Sequence, residues 1–148
     1  MKIAIFGATG KTGRLIVERA LGSEHSVVAF ARDPSKISAT GALLQTVQGD
    51  VTDRAAIESA IEGSDAVISA LGSGKDTLTN FGKFVVPVMQ QARVRRIVSL
   101  VGAGVSEPGD FSSTGRKFML FLLNLLAKDV LQDAERHASL LRNSDLDW

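Results

Sequence analysis

Three glycines, Gly7, Gly10 and Gly13, follow directly on the apolar opening Met1-Lys2-Ile3-Ala4-Ile5-Phe6 and precede a stretch with helical periodicity. That order restricts the chain more than any other feature. A G-x-x-G-x-x-G turn between a strand and a helix brings bare backbone, outward N–H groups and the positive end of a helix dipole to one place. Those are the groups that hold a diphosphate, and side chains in the turn would obstruct them. The competing pattern is the triphosphate loop G-x-x-x-x-G-K-[ST], because Gly10-Lys11-Thr12 matches its end. It needs a glycine at position 5, where this chain has Ile5. The turn Gly7-Ala8-Thr9-Gly10-Lys11-Thr12-Gly13 is therefore read as a dinucleotide-phosphate site.

Behind the turn, short apolar runs alternate with longer amphipathic ones, the pattern of βαβ units around a parallel sheet. Strands are expected at 2–6, 26–30, 44–48, 65–70 and 95–101, and helices at 12–21, 53–62, 78–92 and 129–143, with a weak helical turn after Pro34. Several strands are apolar on both faces, so the sheet is expected to be interior. Thr52-Asp53 is placed to cap the second helix, and Pro87 to kink or locally break the third. In the last helix, Val130, Ala134, Ala138 and Leu141 recur at three- or four-residue spacing and predict a face packed on the sheet. The Gly/Ser/Pro-rich stretch Gly102 to Gly115 is the one long loop expected. The apolar run Phe118 to Ala127 is about half of what a membrane span requires and is read as a buried or pocket-lining helix.

At 148 residues with 45% hydrophobic content, the chain suits one domain with a substantial core. Seventeen lysines and arginines stand against 16 aspartates and glutamates, so no charge excess points to a nucleic-acid or membrane-surface partner. Any anion site must be local. The absence of cysteine excludes disulfides and thiol catalysis. With Gly7 interrupting the opening apolar run before a signal sequence develops, a cytoplasmic location is expected.

Cofactor choice turns on the end of the second strand, where an NAD site normally carries an acidic residue for the ribose hydroxyls. Here the order is Ala29-Phe30-Ala31-Arg32-Asp33. Arg32 offers a planar cation for a 2′-phosphate, and Lys36 lies close enough in sequence to assist. NADP(H) is thus preferred over NAD(H).

Taken together, Gly7-Ala8-Thr9-Gly10-Lys11-Thr12-Gly13, Arg32-Asp33, Gly49-Asp50-Val51, Ala70-Leu71-Gly72 and the closing Leu140 to Trp148 resemble the NmrA-like branch of the atypical short-chain dehydrogenases, nearest the biliverdin IXβ reductase/flavin reductase type. The resemblance runs over essentially the whole chain. It implies a doubly wound, Rossmann-type α/β sheet, with Asp50 and Val51 flanking the adenine and Leu71 and Gly72 beside the cofactor ribose.

Two departures from that family bear on activity. Its dehydrogenases carry a Ser/Thr at the end of the fifth strand and a Tyr-x-x-x-Lys pair on the next helix. This chain contains no tyrosine, and Val130, Ala134 and Val101-Gly102 stand where those groups fall. The resemblance then implies either an NADPH-dependent reductase of a flavin, quinone or tetrapyrrole, in which positioning carries hydride transfer, or a non-catalytic NADP(H)-binding redox sensor. Relatives also continue beyond Leu146-Asp147-Trp148, which reads as the opening of a sixth strand. A sheet cut short there, without the family's substrate-pocket segment, is expected to be a weak catalyst. Self-association through its open edge, or disorder near the C-terminus, is also expected.

No metal constellation is read, because two distant histidines and no cysteine cannot supply one. His137 is expected as a partly exposed helix histidine, and His25 has no suggestive neighbours. Ser99 and Ser106 are the hydroxyls near the fifth strand, both expected in structural hydrogen bonds. No catalytic residue is assigned.

Overall fold

A computed structural model describes residues 1–102, 105 and 126–148. Five strands, β1 (Lys2–Phe6), β2 (Ser26–Ala31), β3 (Leu44–Gln48), β4 (Ala66–Ser69) and β5 (Arg96–Ser99), form one parallel sheet in the order β3-β2-β1-β4-β5. Among the described residues the helices are α1 (Lys11–Gly22), α2 (Arg54–Ile61), α3 (Thr77–Ala92) and α4 (Lys128–Arg142), and Pro34–Lys36 forms a 3-10 turn. The chain winds outward from β1 through β2 to β3, then returns to lay β4 on the other side of β1. Crossovers diverge there, leaving a crevice at the carboxyl ends of the strands. This is the doubly wound α/β architecture that the alternation of apolar runs predicts.

Side-chain alternation along β1 feeds two cores. Ala4 and Phe6 enter the layer with Val28, Phe30, Val67, Phe81, Val85 and Met89, whereas Ile3 and Ile5 join Val17, Ala20, Val27 and Ala29 beneath α1. Phe6 sits at the centre of the larger core, its ring 4.7 Å from Phe30 and 4.8 Å from Phe81. Tilted aromatic contacts of this kind add to the burial of large apolar area.

Helix ends follow local chemistry. Asp53 caps α2 by accepting the Ala56 N–H at 3.1 Å, and Asp33 opens the 3-10 turn by accepting from Ser35 N. Three expectations need correction. Helix α3 runs unbroken through Pro87, because Phe81, Val85, Val88 and Met89 on both sides of the proline are buried in the core and hold the helix in place. The sheet is interior only at its centre: β3 is largely exposed, as are Val98 and Leu100 on one side of β5. On α4, Ala134, Ala138 and Leu141 are buried but Val130 is 40% exposed, and the buried stripe is completed by Asp133 and His137. That stripe packs against α3, so two polar residues share the buried face with the apolar ones.

Beyond α4 the chain returns to the sheet. Asp147 N–H donates to the Arg95 carbonyl at 2.9 Å and the Asp147 carbonyl accepts from Ile97 N–H at 3.0 Å, a parallel bridge at the start of β5. The closing residues therefore pair with this edge, as the reading of Leu146-Asp147-Trp148 as a strand opening anticipates. The expected loop Gly102 to Gly115, apart from Gly102 and Val105, lies outside the described residues, as do Ser106 and the apolar run up to Leu125. Among the described residues no helix is long and apolar enough to cross a membrane.

Candidate functional site

A cleft of about 490 Å³ opens at the carboxyl ends of β1, β2 and β4, where the winding reverses. Its walls come from four connections: the glycine turn after β1, Arg32 after β2, Gly49 to Thr52 after β3, and Ala70 to Ser73 with Lys75, Thr77 and Asn80 after β4.

Each glycine of the turn has a separate steric reason. Gly7 adopts φ +80°, and a Cβ there would lie 2.6 Å from the Ala70 carbonyl oxygen, so the turn presses directly on the end of β4. At Gly13 a Cβ would fall 2.0 Å from the Gly7 carbonyl oxygen; its absence lets α1 start against the turn. Gly10 differs. Its backbone is ordinary for any residue, and the only close neighbour of a Cβ would be the Gly7 oxygen at 3.3 Å, so a side chain here would project into the cleft. Gly10 also caps α1 without a side-chain hydrogen bond, and the first turn holds no acidic residue. The positive end of the α1 dipole is left for an anion.

Of the sequence-predicted residues, Gly7, Thr9, Gly10, Arg32, Asp50, Val51, Leu71 and Gly72 line this one cleft. Lys11 and Thr12 stand exposed on the first turn of α1 outside its walls, and Gly13 is buried behind the turn. Lys36 also lies off the walls, with its ammonium on Asp33 at 3.3 Å. Asp33 also accepts from Ser35 Oγ at 2.6 Å; these two hydrogen bonds, with Lys36 beside them, hold its carboxyl below the usual aspartate range. Arg32 makes no ion pair among the described residues. Its charge acts on Asp50, whose pKa is lowered first by hydrogen bonds from Thr52 Oγ1 and N–H, at 2.8 and 3.1 Å, and more weakly by the Arg32 charge.

The β4–α3 connection supplies wall residues that sequence reading missed. Lys75 and Asp76 both take left-handed backbone, with φ of 51° and 59°, and Arg136 on α4 pairs with Asp76. Asp133 fixes the same segment, accepting from Gly74, Leu78 and Thr79 N–H at 2.9, 3.1 and 2.8 Å. Burial alone would raise its pKa, but these hydrogen bonds outweigh that and hold it below the ordinary value. No local signal in the sequence joins position 133 to positions 74–79. Phe30 and Gly49 are further wall residues; a Cβ on Gly49 would meet the Phe30 ring at 2.8 Å.

His137 departs most from expectation. It is fully buried rather than partly exposed, with Nε2 2.8 Å from Ser99 Oγ. Gly82 makes this possible, since a Cβ there would stand 2.9 Å from Nδ1. Burial pushes the imidazole pKa below its ordinary value, against smaller opposing effects of the Leu78 carbonyl and the Asp133 charge. His25 is not among the cleft walls.

Residues 7–148 match the NAD(P)H-binding family. Curated relatives include the uncharacterized protein YwnB of Bacillus subtilis, 32% identical over 107 residues, covering 70% of this chain and 48% of its own. Another is a (4-alkanoyl-5-oxo-2,5-dihydrofuran-3-yl)methyl phosphate reductase of Streptomyces griseus, 34% identical over 106 residues, covering 72% of this chain and 36% of its own. The chain thus spans less than half the length of either relative. Among solved structures, ChuY, an anaerobillin reductase of Escherichia coli O157:H7, superposes with TM-score 0.81 at 21% identity, over 99% of this chain and 69% of that one. A short-chain dehydrogenase/reductase of Veillonella parvula, solved in complex with NADP, gives TM-score 0.80 at 18% identity, over 99% and 65% respectively. These two likenesses establish the fold.

Proposed function

The chain belongs to the NAD(P)H-binding family, and from that premise we propose that it is an NADPH-dependent reductase of a small planar acceptor, such as a flavin, quinone or tetrapyrrole. The observation that carries the reading is the cleft in which the Gly7–Gly10 turn and Arg32, without an ion pair among the described residues, both form walls at the switch point of the sheet. The bound dinucleotide would supply a hydride. Gly7, Thr9 and Gly10 would admit its diphosphate, with the N–H groups of Lys11, Thr12 and Gly13 at the positive end of α1 drawing the charge. Arg32 would grip the 2′-phosphate and Lys36 would add a more distant positive charge. Asp50 and Val51 would flank the adenine, and Leu71 and Gly72 would border the ribose. The sequence similarity to a phosphate-ester reductase supports a reductive role.

The test is NADPH oxidation in the presence of FMN and a set of quinones, alongside calorimetric titration with NADPH, NADH and ATP. Turnover with NADPH binding tighter than NADH is the expected result. ATP bound in preference to either dinucleotide, or NADPH binding with no turnover, would overturn the reductase reading.

A second reading, a non-catalytic NADP(H)-dependent redox sensor, is favoured by one observation: the side chain at the family's tyrosine position is the half-exposed Val130. It requires tight dinucleotide binding without turnover and a protein partner whose affinity changes with cofactor.

A further inference from the structure

Three consecutive residues in the β4–α3 connection, Gly74, Lys75 and Asp76, take positive φ, at 121°, 51° and 59°. Of the three, Lys75 is the one that lines the cleft. We propose that Lys75 selects an acceptor carrying an anionic group, holding that anion at the β4–α3 side of the cleft while the acceptor ring lies against the cofactor. This rests on the reductase reading.

The residues flanking Lys75 are tied down. Gly74 N–H donates to the Asp133 carboxylate at 2.9 Å, Arg136 pairs with Asp76, and Thr77 donates to the Gly74 carbonyl from its N–H at 3.1 Å and its Oγ1 at 2.7 Å. Lys75, exposed between them, has no hydrogen bond or ion pair among the described residues. Its position does not favour a lysine. Left-handed backbone crowds the Cβ against the following carbonyl, and the positive end of α3 begins at the next residue but one, where a cation is disfavoured. Anchors on both sides impose this conformation on a long cation that stabilises nothing around it. Backbone held against its local preference in this way gathers where a ligand is gripped.

Charge and place indicate which ligand. The charged residues among the described walls are Arg32, Asp50 and Lys75. Arg32 and Asp50 share one end of the cleft, after the neighbouring strands β2 and β3. The connection that carries Lys75 leaves the sheet after β4, two strands and roughly 10 Å from β2. A dinucleotide that meets Arg32 with its 2′-phosphate and the glycine turn with its diphosphate carries its hydride end toward β4. The diphosphate is already served by the open start of α1, whose first turn has no acidic residue. Around Lys75 the walls are Leu71, Gly72, Ser73, Thr77 and Asn80, which add hydroxyls and an amide but no acid. Lys75 is therefore an unbalanced cation on the side where the acceptor must stack. An ammonium on a flexible stem suits a phosphate or carboxylate carried some way from the reacting ring.

The experiment compares FMN with riboflavin, which share the reducible ring and differ in one phosphate, with menadione as a neutral acceptor and NADPH titrated calorimetrically against each variant of the full chain. In the wild type, kcat/KM for FMN should exceed that for riboflavin about tenfold, the size of one exposed charge-assisted contact. Lys75→Gln should bring the ratio near one, Lys75→Glu should invert it, and Lys75→Arg should keep most of it. Lys75→Gly, which takes left-handed backbone without strain, should lose the ratio while raising the urea midpoint. The same ratio in wild type and Lys75→Gln overturns this inference and leaves the reductase reading intact, as does reduction of menadione with neither flavin turned over. A loss of NADPH affinity in Lys75→Gln as large as the loss for FMN gives the charge to the cofactor and also overturns it, and a lowered midpoint in Lys75→Gly does so by showing that the lysine serves stability. A wild type that binds NADPH but reduces no acceptor overturns both.

Discussion

Asp133 on α4 and Thr79 on α3 hold each other twice: the Asp133 carboxylate accepts the Thr79 N–H at 2.8 Å, and the Asp133 carbonyl accepts from Thr79 Oγ1 at 3.3 Å. The same carboxylate takes the Gly74 and Leu78 N–H groups, so a residue 54 to 59 positions downstream caps the helix that walls the cleft.

Asp133→Ala should therefore destabilise the fold by about 2–4 kcal/mol, because it leaves several buried N–H groups without acceptors. Urea unfolding measures it. The Asp133 pKa is lowered in the folded state, so its contribution is present above the unfolded aspartate value and is lost as pH falls through the lower folded value. The Ala variant should accordingly lose less stability than the wild type on going from neutral pH to below about pH 4. An unchanged urea midpoint at neutral pH would refute the capping role.

Arg32→Ala is expected to weaken NADPH about tenfold to a hundredfold, the equivalent of about 1.5–3 kcal/mol for a charge-assisted contact, and to leave NADH nearly unaffected. Calorimetry with both cofactors decides it. Equal losses would remove Arg32 as the discriminator.

Two substitutions in one turn should separate binding from folding. Gly10→Val keeps an allowed backbone but places a branched side chain in the cleft, so dinucleotide binding should disappear from a protein with native circular dichroism. Gly13→Ala sets a Cβ against the Gly7 carbonyl and should cost stability even without ligand, on the order of 1–3 kcal/mol. Micromolar NADPH affinity in Gly10→Val would place the phosphates elsewhere.

Acid should also act through His137. Burial depresses its folded pKa below the ordinary value near 6.5, so the unfolded chain binds the extra proton first. The stability it contributes is present above pH 6.5 and is lost as pH falls from there toward the folded value. His137→Gln should flatten this part of the pH–stability curve between about pH 7.5 and 5.5. An identical slope in wild type and variant would show that another group titrates in that window.

The amino-acid sequence alone determined the parallel α/β layout, since apolar runs such as Ile3 to Phe6 and Val27 to Ala31 are buried on both faces and need no long-range information to be recognised. It also determined the glycine turn after β1, because glycine spacing is a local statement about where backbone must come close. Arg32, Asp50 and Leu71 were legible for a related reason: each follows directly on a strand, and parallel strands of one sheet deliver their carboxyl ends to a common edge. Tertiary structure decided the rest. Lys36 turned to Asp33, three residues away, instead of to the cleft, a choice between two attractive charges that spacing cannot rank. His137 reads as a partly exposed residue of an amphipathic helix and Asp133 carries no signal of its own, yet α4 buries both against α3, where the N–H groups of the α3 start, the gap at Gly82 and the hydroxyl of Ser99 receive them. Burial of a polar side chain depends on partners brought from distant segments, and those partners exist only once the chain has folded.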